Sequence, residues 1–186
     1  MSIILRAPAT RSAPELILRA WRDDDRDALL AAYQDPVLRR WTRLPVTTTV
    51  EADRWLARMR QGWRDGDQLS FAVLEPDPGI GERLVANVVL KRVTQGRPDA
   101  EVGYWTAAPA RGRGVAGRAL DAVSRWAFAR FADAGLRRLE LLHQVDNPAS
   151  CRVAEKTGFR FQEVLPAQPP FPRDGHRHVR RADADG

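Results

Sequence analysis

The chain has 186 residues, 44 % hydrophobic and 29 % charged, with a formal net charge of +6; this is enough for one domain with a real core, short for two, and unlike a disordered chain. The positive charge is almost all arginine, since lysine occurs only at Lys91 and Lys156, and acidic residues are interspersed throughout, which argues against direct nucleic-acid binding. The single cysteine, Cys151, excludes an internal disulfide and a multi-cysteine metal site, so no metal is expected. No run is long enough for a membrane span or signal segment, and the expected location is cytoplasmic with no membrane partner.

In chain order, residues 1–13 lack any period and read as a flexible N-terminal tail, with residues 14–182 as a single domain. Residues 15–21 (ELILRAW) predict a first strand. Asp23, Asp24 and Asp25 open a helix that Asp35-Pro36 stops. Residues 36–47 read as an irregular link rich in Arg39, Arg40, Trp41 and Arg43. Thr48 with Glu51 is a capping box for a helix to Asp65. Residues 69–75 and 83–93 are strands joined by PDPGIGE, and a turn at Gln95 to Asp99 leads to a strand over 101–106. A helix over 114–134 ends at Gly135, and a parallel crossover strand spans 136–145. Asn147-Pro148 caps a helix to Thr157, and residues 159–164 form a further strand. The tail carries Pro166, Pro169, Pro170 and Pro172, and residues 176–180 read as a short last strand.

The stretch EVGYWTAAPARGRGVAGRAL (101–120) runs strand, glycine–arginine turn, helix. A helix that starts at a glycine turn presents unpaired N–H groups and the positive end of its dipole, and Arg111, Arg113 and Arg118 add charge there. The segment is an anion cradle. It lacks the Gly-Lys-Ser/Thr of a Walker loop. Gly112, Gly114 and Gly117 spell GxGxxG, but about a hundred residues precede them and little chain follows, unlike a dinucleotide-binding βαβ unit.

Arg111-Gly112-Arg113-Gly114-Val115-Ala116 resembles the acyl-CoA pyrophosphate loop, Arg/Gln-x-x-Gly-x-Gly/Ala, of the GNAT superfamily of N-acetyltransferases. Asn147 to Ser150, followed by residues 153–159 (VAEKTGF), resembles the same superfamily's later segment. Residues 101–105 (EVGYW), with Leu16, Leu18, Arg19 and Asp25, resemble its branch that acetylates ribosomal-protein N-termini. The resemblance covers residues 15–165. It implies a mixed α/β (α+β) sheet of six to seven strands, antiparallel in its N-terminal half, with a splayed parallel pair and about four flanking helices. Acetyl-CoA would lie in the splay. Backbone groups of Trp105 and Thr106 would pair with the pantetheine arm, and N–H groups of Arg113, Gly114 and Ala116 would hold the pyrophosphate. Asn147 would bind the arm's far side.

The implied reaction is attack of a primary amine on a thioester with loss of a thiolate. Glu101 is the first candidate base and His143 the second; an N–H near Thr106 would meet the oxyanion. Many members protonate the thiolate with a tyrosine where this chain has Ala154, and Ser150 is the expected substitute. The acceptor is a protein N-terminal amine or a small-molecule amine, shaped by residues 36–47 and 165–175, with Trp41 a candidate lining residue. A homodimer is implied by the resemblance alone. Plainer readings stand beside these: Asn147 as a helix cap, Ser150 as a first-turn hydroxyl, Glu101 as an edge charge, His143 as a sheet histidine, Cys151 as small core. A non-catalytic acyl-CoA sensor of the same fold is the alternative.

Overall fold

Residues expected as a tail form an edge strand, β1 (Ile4–Ala7), which pairs antiparallel with β2 (Leu16–Ala20). The cause lies far along the chain. The Arg118 guanidinium donates to the carbonyls of Ala7 (3.2 Å), Pro8 (2.6 Å) and Pro14 (2.7 Å) and pins the segment down. The computed structural model describes residues 3–42, 46–93, 96–169 and 172–182. Arg43, Gln95 and Pro170, read above as parts of a link, a turn and a tail, lie outside them.

After β2 come a short 3₁₀ turn, Asp23–Asp25, and α1 (Arg26–Ala32). Asp25 is buried, takes two bonds from Arg19 (2.7 and 2.8 Å), and accepts the Arg22 N–H (2.8 Å), so the strand fixes the entry of the helix. Asp35-Pro36 does stop α1, but it also starts α2 (Pro36–Trp41), where an irregular link was expected. Asp35 accepts the N–H groups of Val37 (3.0 Å) and Leu38 (3.2 Å), and Pro36 supplies a fixed φ at the first helical position. The Thr48–Glu51 capping box opens α3 (Thr49–Asp65) as expected, and Gly66 closes it in the left-handed region at φ 76°.

An antiparallel meander follows: β3 (Gln68–Asp77), β4 (Gly81–Lys91) and β5 (Asp99–Thr106). Then come α4 (Val115–Arg130), β6 (Arg138–Gln144), α5 (Pro148–Lys156), β7 (Arg160–Leu165) and β8 (Gly175–Arg181). Among the described residues the sheet has eight strands in the order β1-β2-β3-β4-β5-β6-β8-β7, above the expected six to seven because β1 joins it. The five α-helices among the described residues exceed the expected four by α2.

Alternation along the strands splits the core in two. Phe71, Val73, Val88, Val102, Leu139 and Leu141 pack under α4 and α5. Trp21, Ala72 and Ala107 face α1 and α3, with Trp105 against them. Each fully buried Leu or Phe contributes roughly 1.5–3 kcal/mol, so the sheet is held from both faces. No helix among the described residues is long and apolar enough to cross a membrane.

Candidate active site

The parallel strands β5 and β6 pair only from Asp99↔Arg138 to Val102↔Leu141. Beyond that register β5 continues to Thr106 on β4, and β6 continues to Gln144 on β8, so the two diverge. Ala107 donates to the Val85 carbonyl of β4 (2.9 Å). By strand alternation the polar backbone of Trp105 also faces β4, while that of Tyr104 and Thr106 points into the gap. Of the two strand residues expected to pair with an incoming arm, Thr106 is therefore turned toward it and Trp105 away from it. Trp105 instead lays its ring against Tyr33 (6.0 Å, 82°) and Trp21 (6.1 Å) on the α1 side.

The glycine turn lies between β5 and α4. Gly112 and Gly114 have φ of 74° and 75°, where any side chain would be strained. Gly117 has no such need; it sits inside α4, where a Cβ would touch Thr157 at 3.5 Å. Among the described residues the backbone N–H groups of residues 112–117 have no partner within the chain, and the first helical bond runs from Arg118 to Gly114 (3.2 Å). The arginine side chains are occupied. Arg111 is paired with Asp35, Arg113 donates two bonds to Glu75 (3.0 and 2.7 Å), and Arg118 holds the N-terminal segment. The cradle thus offers backbone dipoles more than free guanidinium charge.

Burial works against ionisation of Glu75, but bonds from Arg113 and Arg83 outweigh it and hold the carboxyl below its usual value. The same balance, with Arg111, Val37 and Leu38 as donors, keeps Asp35 low. Both carboxylates therefore stay charged and keep the loop arginines in place.

Asn147 caps α5, accepting the Ser150 N–H at 3.3 Å. Ser150 is buried, and its Oγ accepts the hydroxyl of Tyr104 at 3.1 Å. Burial pushes the Tyr104 phenol up, so it remains protonated at neutral pH. Tyr104 was quoted in the sequence only as part of a strand; its parity with Val102, which puts it on the α5 face, was the available signal. Ala154, where a tyrosine is common in the superfamily, is a fully buried residue of α5 itself.

The two expected bases are not brought together. Glu101 sits within the paired part of β5, opposite Glu140, on the face away from Ser150. It is tied to Lys91 (3.0 Å) and Arg92 (3.6 Å), and Arg92 adopts a left-handed φ of 60° and also reaches Glu140 (3.4 Å). His143 lies on the α5 face. Its Nδ1 contacts the Gln144 carbonyl (2.8 Å), its Nε2 faces Cys151 Sγ (3.5 Å), and burial lowers its pKa. At the mouth of the gap Asp146 joins Arg40 of α2 (2.9 Å) to Arg173 (3.0 Å). Such exposed pairs contribute at most about 1 kcal/mol each; they gather the two expected acceptor segments without locking them. Trp41 lies under the guanidinium of Arg40 at 4.7 Å.

A sheet that parts beside a glycine turn of unpaired N–H groups, with a hydroxyl pair bridging β5 and α5, has the form and polarity to receive a long phosphate-bearing carrier. The chain belongs to the GNAT acetyltransferase family, whose model, described as Acetyltransferase (GNAT) domain, matches residues 15–160. It is 31 % identical over 99 residues to the ribosomal-protein-serine acetyltransferase of Escherichia coli (strain K12). That match takes in 53 % of this chain and 52 % of the relative, so the chain spans about half the length of the curated protein it matches. RimL, a ribosomal alpha-N-protein acetyltransferase solved in complex with coenzyme A, superposes with a TM-score of 0.81 at 20 % identity, covering 97 % of this chain and 99 % of that one. Mycobacterium smegmatis RimJ in complex with CoA-disulfide gives 0.79 at 22 %, covering 98 % and 87 %. At these identities the superpositions speak to the fold.

Proposed function

We propose that this chain is an N-acetyltransferase that moves the acetyl group of acetyl-CoA to a primary amine, with a protein N-terminal amine as the acceptor. The observation that carries the reading is the parting of β5 from β6 beside the unpaired N–H groups of residues 112–117. A pantetheine arm satisfies the gap as an added strand would, and the pyrophosphate takes the turn. The acceptor class rests on the names of the similar proteins.

In the proposed reaction the amine enters from the side of Trp105, Tyr33 and the Asp146 clamp. Its nitrogen attacks the thioester carbonyl, and the oxyanion is met by the Thr106 N–H. An α-amine has a pKa near 8 and is partly neutral at pH 7, so a weak base suffices. Glu101 takes that proton, through water, since its carboxylate shares the acceptor face. The leaving thiolate is protonated by Ser150. Because Tyr104 donates to Ser150 Oγ, the serine hydroxyl hydrogen is free to point at the sulfur. The phenol passes its own hydrogen to the serine and recovers one from solvent, into which Glu101 releases the proton taken from the amine. The balance is one amide and one free thiol from one amine and one thioester. A hydroxyl pair at this place weighs against the non-catalytic sensor, for which the missing tyrosine at Ala154 and the polar C-terminus spoke.

Calorimetric titration with acetyl-CoA, wild type against Gly114→Glu, tests the cradle. Binding in the wild type, lost in a variant folded by circular dichroism, is the expected result; no wild-type binding would sink the reading. Release of free CoA with N-terminal peptides but not with small-molecule amines then distinguishes the acceptors.

A further inference from the structure

We propose that His143, Cys151, His176 and His178 form a binding site for a borderline-soft transition metal, Zn²⁺ foremost. These are all the histidines and the only cysteine in the chain. The register Leu141↔His178 and His143↔His176 between β6 and β8 puts the three rings on one face of the sheet, and α5 lays Cys151 over them. Their ligand atoms all lie within 4.8 Å of one another.

The local geometry is that of a ligand set. A tetrahedral zinc with bonds of about 2.3 Å to sulfur and 2.0–2.1 Å to nitrogen separates S and N ligands by about 3.6 Å. Cys151 Sγ lies 3.5 Å from His143 Nε2 and 3.3 Å from His176 Nδ1. The Gln144 carbonyl, 2.8 Å from His143 Nδ1, accepts the Nδ1–H bond and leaves the Nε2 lone pair aimed at the cluster. This is the backbone support that metal-binding histidines use to fix their tautomer.

A second observation is independent of these distances. His178 is 1 % exposed, yet neither of its ring nitrogens has a hydrogen-bond partner among the described residues. The Phe159 backbone faces it but falls outside hydrogen-bond geometry. A buried imidazole without partners is costly, and a metal among His143, Cys151 and His176 would remove that cost. The His143 and His178 rings are stacked (5.2 Å, 25°), so a modest rotation of His178 closes the set. Phe161 covers the cluster with edge contacts to His176 (5.2 Å) and His178 (5.7 Å), lowering the local dielectric.

Three imidazoles and one thiolate suit Zn²⁺ or Cu⁺ over the hard, oxygen-seeking cations. On binding, the Cys151 thiol gives its proton to solvent and the sulfur donates a lone pair to the metal; nothing is oxidised. The single cysteine had excluded a multi-cysteine site, which leaves a mixed one open. A ligand role also withdraws His143 from the candidate bases. Because Cys151 follows Ser150 directly, the metal would anchor the first turn of α5 and hold the Ser150 hydroxyl at Tyr104.

The test uses full-length, untagged protein stripped with a chelator and titrated with Co²⁺ as the optical probe. One equivalent is expected to give tetrahedral visible bands and a thiolate-to-cobalt charge-transfer band, both lost on adding Zn²⁺. Cys151→Ser is expected to lose the charge-transfer band, and the rise in melting temperature produced by Zn²⁺ in the wild type. His176→Gln, at a partly buried position, serves if Cys151→Ser does not fold; its Zn²⁺ affinity is expected to fall at least tenfold. A folded wild type with no thiolate band overturns the proposal, as does Zn²⁺ affinity equal in wild type and variant.

Discussion

In the proposed reaction Ser150 and Tyr104 act on one proton, so their removal is expected not to add. Ser150→Ala and Tyr104→Phe should each lower kcat, Ser150→Ala by about a hundredfold, with little change in KM for acetyl-CoA. The double variant should be no worse than Ser150→Ala; full multiplication of the two losses would show two separate roles. Glu75 gives a pH signature in stability. Its pKa is depressed in the folded state by Arg113 and Arg83, so its contribution is present above the ordinary glutamate value. It disappears as pH falls through the lower folded value. Glu75→Gln should cost about 1–3 kcal/mol at neutral pH, and urea midpoints of the two proteins should converge as pH falls below the ordinary glutamate range. Ser150, Asn147 and the glycine turn were legible in the sequence because their spacing is local: a cap, a first-turn hydroxyl, a helix start. Tyr104 was not, because its partner is 46 positions away. The pairing of Arg111 and Arg113 with Asp35 and Glu75 was hidden for the same reason, which is why these arginines read as free charge.

Among the elements, α2 shows how one dipeptide can carry two meanings. Asp35-Pro36 was read as the end of α1, and the same residues cap the next helix. The two functions of the Asp35 side chain can be separated. Asp35→Ala removes both the cap and the Arg111 partner and should destabilise by about 1–2 kcal/mol. Asp35→Asn keeps a capping oxygen and should lose well under half of that in urea unfolding; equal losses would place the stabilisation in the ion pair. The capping box of α3, the Asn147-Pro148 start of α5 and the three meander strands were all legible, because caps and alternation are local signals. The edge strand β1 was not. It has only four residues, too few for a period, and a side chain from α4 holds it.

Across the whole molecule, the family resemblance fixed the fold class and the splayed parallel pair, but nothing local told where β8 would insert between β6 and β7. That insertion is also what assembles the histidines from separate strands. The divergence of β5 and β6 has a dynamic corollary. Without a guest the sheet carries an unfinished seam at its middle, where amides on the open side exchange with solvent through small openings. On the proposed reading a bound acetyl-CoA would act as a temporary strand and stitch the two halves, adding about 2.7 kcal/mol of stability at a hundred times its Kd. Hydrogen–deuterium exchange resolved to single amides should then show protection rising at Tyr104 and Thr106 while Trp105, already bonded across to β4, stays unchanged. Protection at all three alike would mean that the strand tightens as a block, and that the ligand does not pair along the seam.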